Sequence, residues 1–292
     1  MTAICDGIGQ GFDGTDCDGV TTGTAEATDV NMVMGDYYLD GPVFLKSDVN
    51  LLGIWSEDDS PYETTFIMHG SGTGADGIIN ALGVSNIIVE EVHVYSNLDS
   101  AGVAGTVGNV CMDISDASNI SVDTVSLSNC PEGGLRVVDT DTFTGSEFYG
   151  GGSAEGNEAI LKGVTDFTLY ETQADGMVIE DSSNVLIEAR IDDGDFYGSI
   201  RVPDGGDQSA NLVVSGTTEG VTLKNIQITE GAVPRVVLEN SNPLTIDGVT
   251  VSGGNSGDCV IEFPEGADGN AILVQLNMET DLVLSGNCFE LA

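Results

Sequence analysis

The sequence predicts an all-β fold, a parallel β-helix solenoid of about nine to eleven coils, and three observations lead to it. A short phrase recurs nine times: a polar or small residue, an apolar residue, then further apolar residues two, five and often seven places beyond. Within the phrase the alternation has period two, the period of a strand. Forty glycines fall in 292 residues, and no segment sustains a helical period.

The phrase opens at Asp48, Asn86, Asn119, Thr142, Asp166, Asn184, Gly220, Pro243 and Asp281, with separations from 18 to 38 residues. In the copy that begins at Asn119, Ile120, Val122, Val125 and Leu127 are expected on one side and Ser121, Asp123 and Ser126 on the other. Two short strands joined by a kink cannot bury an apolar side alone, so each copy must stack on its neighbours. A third strand precedes the phrase, as in Met112-Asp113-Ile114, Leu135-Arg136-Val137, Ile160-Leu161, Val178-Ile179 and Val237-Leu238. Three strands per turn, joined by Gly, Asn, Asp and Ser corners, wind a parallel β-helix. Residues 1–30 are expected to form an N-terminal cap segment, and 31–292 the β-helix with its C-terminal cap.

The stretches Gly176-Met177-Val178-Ile179, Ser183-Asn184-Val185-Leu186-Ile187 and Ala117-Ser118-Asn119-Ile120-Ser121-Val122 resemble the repeat of the right-handed β-helix proteins of the pectin-lyase-like superfamily. Gly35 to Leu39, Val43-Phe44-Leu45 and Val49 to Gly53 look like the first coils of such proteins. The resemblance covers residues 31 to 290 and implies the fold; lyases, hydrolases, tailspikes and adhesins share this scaffold, so it implies no single activity. Asn86, Asn119 and Asn184 sit at one corner of three coils, where Asn tolerates left-handed geometry and stacked amides can bond coil to coil.

The chain carries 48 acidic and 7 basic residues, a formal net charge of −41. Such a surface repels itself in dilute buffer, whereas at molar salt the Debye length falls to about 3 Å. The composition resembles that of a salt-loving archaeon or its virus. Nucleic acid is excluded as a partner, because phosphate binding needs clustered Lys and Arg. No stretch reaches the ~20 apolar residues of a membrane span, so no membrane insertion is expected. Met1 to Val30 holds no Lys or Arg and no long apolar run, so it does not read as a secretory signal. The expected setting is nonetheless a virion surface or extracellular, high-salt medium, reached after signal removal or by release of virions on lysis.

Six cysteines fall as sequential neighbours, Cys5 with Cys17, Cys111 with Cys130, and Cys259 with Cys288. Fifteen pairings are possible. Disulfides between these neighbours are favoured over free thiols, since the outer pairs lie near ends that need capping and the middle pair is about one coil apart.

Function on a solenoid sits in outward columns and in loops that interrupt the repeat. Three insertions are expected, over about 55–76, 193–211 and 253–270. Trp55 and Tyr62 in the first, with Phe196, Tyr197 and Arg201 in the second, are candidate glycan-binding residues, because sugar faces stack on rings while hydroxyls find charged partners. Arg190, Asp192, Asp193 and Asp195 are the alternative catalytic set, and Arg190 falls where the repeat expects an inward apolar residue. Solvated turns compete with that assignment throughout so acidic a chain. Asp13, Asp16 and Asp18 can offer oxygen ligands to calcium, the one metal considered; no other cofactor is expected. The Gly-His-Gly, Arg-Ile-Lys and Asn-Thr-Asp motifs of the polygalacturonase branch are absent, and His93 reads as a surface residue.

Ile160, Val178 and Val237 are expected to face outward in one column, which suggests a homo-oligomer, with a trimer favoured. The expected function is a virion surface spike, turret or fibre protein of a haloarchaeal virus, in contact with other virion proteins and host cell-surface glycans. A secreted polysaccharide lyase or glycoside hydrolase of a halophilic archaeon is the alternative.

Overall fold

The computed structural model describes residues 29–32, 35–39, 42–54, 64–68, 77–96, 110–130, 133–151, 159–192, 195–197, 199–201, 210–228, 234–251, 253–278 and 281–292. Strands dominate them, and they stack in parallel register as three faces of a β-helix. The first face runs from Val43–Phe44 through Ile79–Leu82, Val110–Ser115, Gly133–Val138 and Ala159–Lys162 to Met177–Glu180, Leu212–Ser215, Val236–Leu238 and Cys259–Glu262. The second face includes Leu51–Leu52, Thr165–Tyr170, Ser183–Glu188 and Glu219–Lys224. The long strands Ser85–Ser96, Ser118–Ser128, Asp141–Gly151 and Leu244–Val251 belong to this face by their first halves. They bend and continue into the third face, with Thr64–Met68, Gln173–Asp175, Ser199–Arg201 and Gln227–Ile228.

The bend is a single residue in the left-handed region, at Glu91, Thr124, Glu147, Glu171, Asn225 and Gly248. Two more left-handed columns mark the corner between the first and second faces. One is Gly83, Asp116, Asp139, Gly163, Asp181 and Gly216; the other is Asp48, Asn86, Asn119, Thr142, Asp166, Asn184 and Gly220. Non-glycine residues pay about 1–2 kcal/mol for this conformation, least when Asn or Asp can bond locally. Asx residues accordingly fill most of the two corner columns. At Gly216 the reason for glycine is also steric: a Cβ there would lie 2.3 Å from Asp181 Oδ1. The same carboxylate accepts from Thr217 N at 2.8 Å and Thr217 Oγ1 at 3.0 Å, and those bonds hold its pKa below the ordinary value.

The expected Asn corner is present and forms a ladder. Asn119 Nδ2 donates to Asn86 Oδ1 at 2.9 Å, and Asn86 Nδ2 donates to Asp48 Oδ1 at 2.8 Å. Asn184 shares the column and donates to Asp166 Oδ1 at 2.9 Å, Asp166 being its neighbour on the adjacent coil; Thr142 separates this pair from the Asn119 ladder.

Inward residues form continuous apolar columns. Ile87, Ile120, Phe143, Phe167, Val185, Val221 and Leu244 lie in successive register and are all buried. The rings of Phe143 and Phe167 stack with centroids 4.8 Å apart and planes 8° apart. Room for this stack comes from Gly145, where a Cβ would approach Leu169 Cδ2 to 2.5 Å and Phe143 Cε1 to 3.2 Å.

Cys111 pairs with Cys130 and Cys259 with Cys288, at Cα separations of 5.5 and 5.8 Å. Cys5 and Cys17 lie outside the described residues. Two expectations are corrected at the C-terminal end. The copy opening at Asp281 is no parallel rung: Leu282–Ser285 and Cys288–Leu291 form a hairpin that pairs antiparallel with Cys259–Glu262 and caps the first face. The rung itself is Leu273–Met278, parallel to Leu244–Val251. The stretch expected as an insertion over 253–270 likewise contains the strand Cys259–Glu262 and the start of a one-turn helix, Gly269–Ile272. Among the described residues no helix is long and apolar enough to cross a membrane.

Replacing Asn119 tests the ladder. Asn119→Gly keeps the backbone conformation and loses only the hydrogen bond, whereas Asn119→Ala loses both, so Ala is expected to cost about 1–2 kcal/mol more than Gly. Denaturant unfolding in molar salt checks the order.

Candidate functional site

A hairpin stands where the chain passes from the second to the third face; of the insertion expected over 193–211 it takes in Asp195–Tyr197, whereas Ser199–Arg201 is a parallel rung of the third face and no insertion. Arg190–Asp192 pairs antiparallel with Asp195–Tyr197, matching Arg190 with Tyr197, Ile191 with Phe196 and Asp192 with Asp195. The chain then rejoins the third face at Ser199–Arg201. This brings Arg190, Asp192, Asp195, Phe196 and Tyr197 onto one projection, with Arg201 on the next strand. Asp193, Trp55, Tyr62, Asp13, Asp16 and Asp18 lie outside the described residues. Arg190 does not point inward as the repeat suggested. Ala189 takes the buried place, and the Arg190 side chain is 43% exposed.

What Arg190 reaches is a pair of carboxyl groups. Glu147 and Glu171 occupy the bend of successive coils, with φ of 47° and 52°. Stacking makes them neighbours in the bend column, near enough for the Glu147 carboxyl to act on Glu171. Thr124, at the bend one coil earlier, donates from Oγ1 to Glu147 Oε2 at 3.1 Å. Arg190 Nη1 lies 2.7 Å from Glu171 Oε1, and Glu171 is 6% exposed. Burial raises the Glu171 pKa, Arg190 opposes it, and the neighbouring Glu147 adds to the rise. Glu171 therefore holds its proton above the usual carboxylate range, and a carboxyl group in that state can act as a proton donor.

Beside this corner runs the outward surface of the second face. Tyr170 precedes Glu171 and is 37% exposed. In register it lies between Ser146, which precedes Glu147, and Glu188. A parallel outward column carries Ser121, Thr144 and Thr168, then Leu186, then Thr222 and Thr245. Lys224 Nζ lies 2.6 Å from Glu188 Oε1, and the pair raises the lysine pKa. At the other end of the face, burial and the carboxylates of Asp123, Glu91 and Asp29 raise the Glu90 pKa. His93, on the third face, has Nε2 2.9 Å from Ser128 Oγ and its ring 6.2 Å from Tyr95. Among the described residues no group of three or more His, Cys, Asp or Glu is arranged to hold a metal ion.

The sequence reading passed over Glu147, Glu171 and Tyr170. A signal existed: the copies at Thr142 and Asp166 both place Glu at the bend, five residues after the opening. Among 48 acidic residues it carried no weight until the register stacked one on the other.

Neither a protein-family model nor a curated protein sequence matches this chain. Among solved structures it is similar to the A-module of the mannuronan C-5 epimerase AlgE6 of Azotobacter vinelandii, at 14% identity and a TM-score of 0.52, covering 88% of this chain and 87% of that one. It is also similar to WceF of Pantoea stewartii, described as a glycan biofilm modifying enzyme with a bacteriophage tailspike-like parallel β-helix fold. That likeness has 11% identity and a TM-score of 0.53, and it covers 88% of this chain but 37% of the WceF chain. At such identities the likeness establishes the class, a parallel β-helix protein, and the fold alone.

Because Glu171 titrates above its unfolded value, the native state binds the extra proton as pH falls, and the cost of ionising the group is absent below about pH 4.3 and complete above its folded pKa. Glu147→Gln removes the like charge beside Glu171 at nearly unchanged size. The variant is expected to gain stability on the wild type as pH rises from 4 to 8, read as the difference between two denaturation series in molar salt.

Proposed function

We propose that this chain is a glycan-binding surface protein of a haloarchaeal virion, a spike, turret or fibre component, that presents the second face and the hairpin of residues 190–197 to the host envelope. The observation that carries the reading is the exposed ring of Tyr170, set between Ser146 and Glu188, alongside a column of hydroxyls and the Glu147, Glu171 and Arg190 corner. An aromatic face with hydroxyls and carboxylates around it meets both needs of a sugar, an apolar ring surface and hydrogen-bond partners for its rim. The charge of −41 supports a high-salt setting, and the two disulfides support an oxidising one. The likeness to WceF, a glycan biofilm modifying enzyme with a tailspike-like fold, agrees with a glycan-facing role at fold level.

A secreted polysaccharide lyase or glycoside hydrolase is the second reading, and the buried Glu171, whose pKa is raised by burial beside Glu147, favours it, since glycoside cleavage needs a carboxyl group kept protonated. Incubation with haloarchaeal surface glycans in molar salt separates the two. Retention without turnover, weakened about ten-fold or more by Tyr170→Ala, is expected of the binder. Release of reducing ends or unsaturated sugars assigns the enzyme instead.

The protein is further proposed to be a homo-oligomer, with a trimer favoured. Ile160, Val178, Val213 and Val237 form one half-buried aliphatic column on the outer side of the first face. Light scattering in molar salt is expected to report more than one copy, and a monomer alone removes the proposal.

A further inference from the structure

We infer that the ligand of the Tyr170 face is an uncharged glycan, laid along the solenoid axis across the strands and read by the column of hydroxyls. The inference rests on the glycan-binding role proposed above and adds the chemical class and the direction of the chain.

The direction follows from the register. Parallel pairing sets Ser121, Thr144 and Thr168 in one outward line, and after Leu186 the line continues with Thr222 and Thr245. Neighbouring strands lie about 4.8 Å apart, so the line offers a donor and an acceptor at nearly constant intervals along the axis. Leu186 stands in the gap as the register partner of Thr168, diagonal to Tyr170, which pairs with Glu188, and is half-buried. The face thus alternates hydroxyls with an apolar patch made by Leu186 and the Tyr170 ring. A polymer of repeating hydroxylated rings running along the axis meets that pattern; one running across the face meets one member of the line and then, strand by strand, Asp123, Ser146, Tyr170, Glu188, Lys224 or Asp247, with no repeat.

The absence of charge on the ligand follows from what surrounds Tyr170. The column containing it also holds Glu90, Asp123, Glu188 and Asp247. The described cations on this side are Lys224 and Arg190, and each is already engaged, Lys224 with Glu188 and Arg190 with Glu171. A uronate or sulfate group here would sit against carboxylates, and drawing a cation away would strip a partner from Glu188 or from the buried Glu171. Molar salt screens the long-range repulsion, but a contact at hydrogen-bond distance lies within the screening length of about 3 Å and keeps its cost. Neutral hydroxyls avoid the cost and can donate to the same carboxylates.

The test is a glycan array probed with the full-length protein in molar potassium chloride containing a chelator. It carries neutral glycans, the same backbones oxidised to uronates at C6, and sulfated forms. The expected result is signal on neutral glycans, at least about ten-fold weaker on the oxidised counterpart of each. Thr168→Val, which exchanges a hydroxyl for a methyl of the same shape, should weaken the neutral signal while unfolding as the wild type does. Signal confined to uronates or sulfated glycans, or equal on the two members of a pair, overturns the inference and leaves glycan binding standing. Signal on no glycan overturns the binding role itself, and the inference with it.

Discussion

Every outward and inward position on this molecule depends on residues held in the left-handed conformation at the corners. A strand that slips by one residue turns its apolar side to solvent, so each coil must restart in the same phase. The corner columns enforce that phase by fixing the backbone at φ between 46° and 70° and by bonding one coil to the next, as Asn119, Asn86 and Asp48 do. With the phase reset at each corner, the length of chain between coils is free to vary, and closing a longer loop costs only slowly more. That is why separations of 18 and 38 residues coexist in one regular column of strands.

The sparse basic residues follow the same coil-to-coil logic. Arg136 pairs with Asp113, Lys162 with Glu180 and Lys224 with Glu188, each with its register partner on an adjacent coil. Exposed pairs contribute little on their own. Position counts for more at Lys224, which separates Glu188 from Asp247 in one column, where like charges would otherwise follow each other along the stack. Arg190 acts from the hairpin; its partner Glu171 is buried and the ion pair is correspondingly less screened.

Period-two alternation and the recurrence of Asx openings made the solenoid legible, because both are written in neighbouring residues. The Asn corner was legible for the same reason, down to Asn86 and Asn119. The cap was not: Leu282 to Ser285 alternates as a rung does, and only its partner strand decides that it runs antiparallel. Arg190 was misassigned because Ala189 and Arg190 exchange places after Glu188, where the chain leaves the repeat for the hairpin. Glu147 and Glu171 are distant in sequence and ordinary in type, and their chemistry arises from stacking. The sequence marked Arg190 and the aspartates of the hairpin, and it did not mark Glu147 and Glu171, which stacking brings near Arg190.

The bend column carries the argument for function one step further. At the other corners a short Asx side chain suits the left-handed backbone and ends in a local hydrogen bond. At the bend, Thr124, Glu147 and Glu171 hold the same conformation with side chains engaged on neighbouring coils. Thr124 donates to Glu147 one coil on, and Glu171, the next in the column, is ion-paired with Arg190. An asparagine at position 171 would satisfy the backbone better but would be one methylene shorter and could hold no titrating proton. The choice of Glu at a site that suits Asn therefore trades corner stability for a side chain long enough to reach its neighbour coil and able to exchange a proton there, beside the exposed ring of Tyr170.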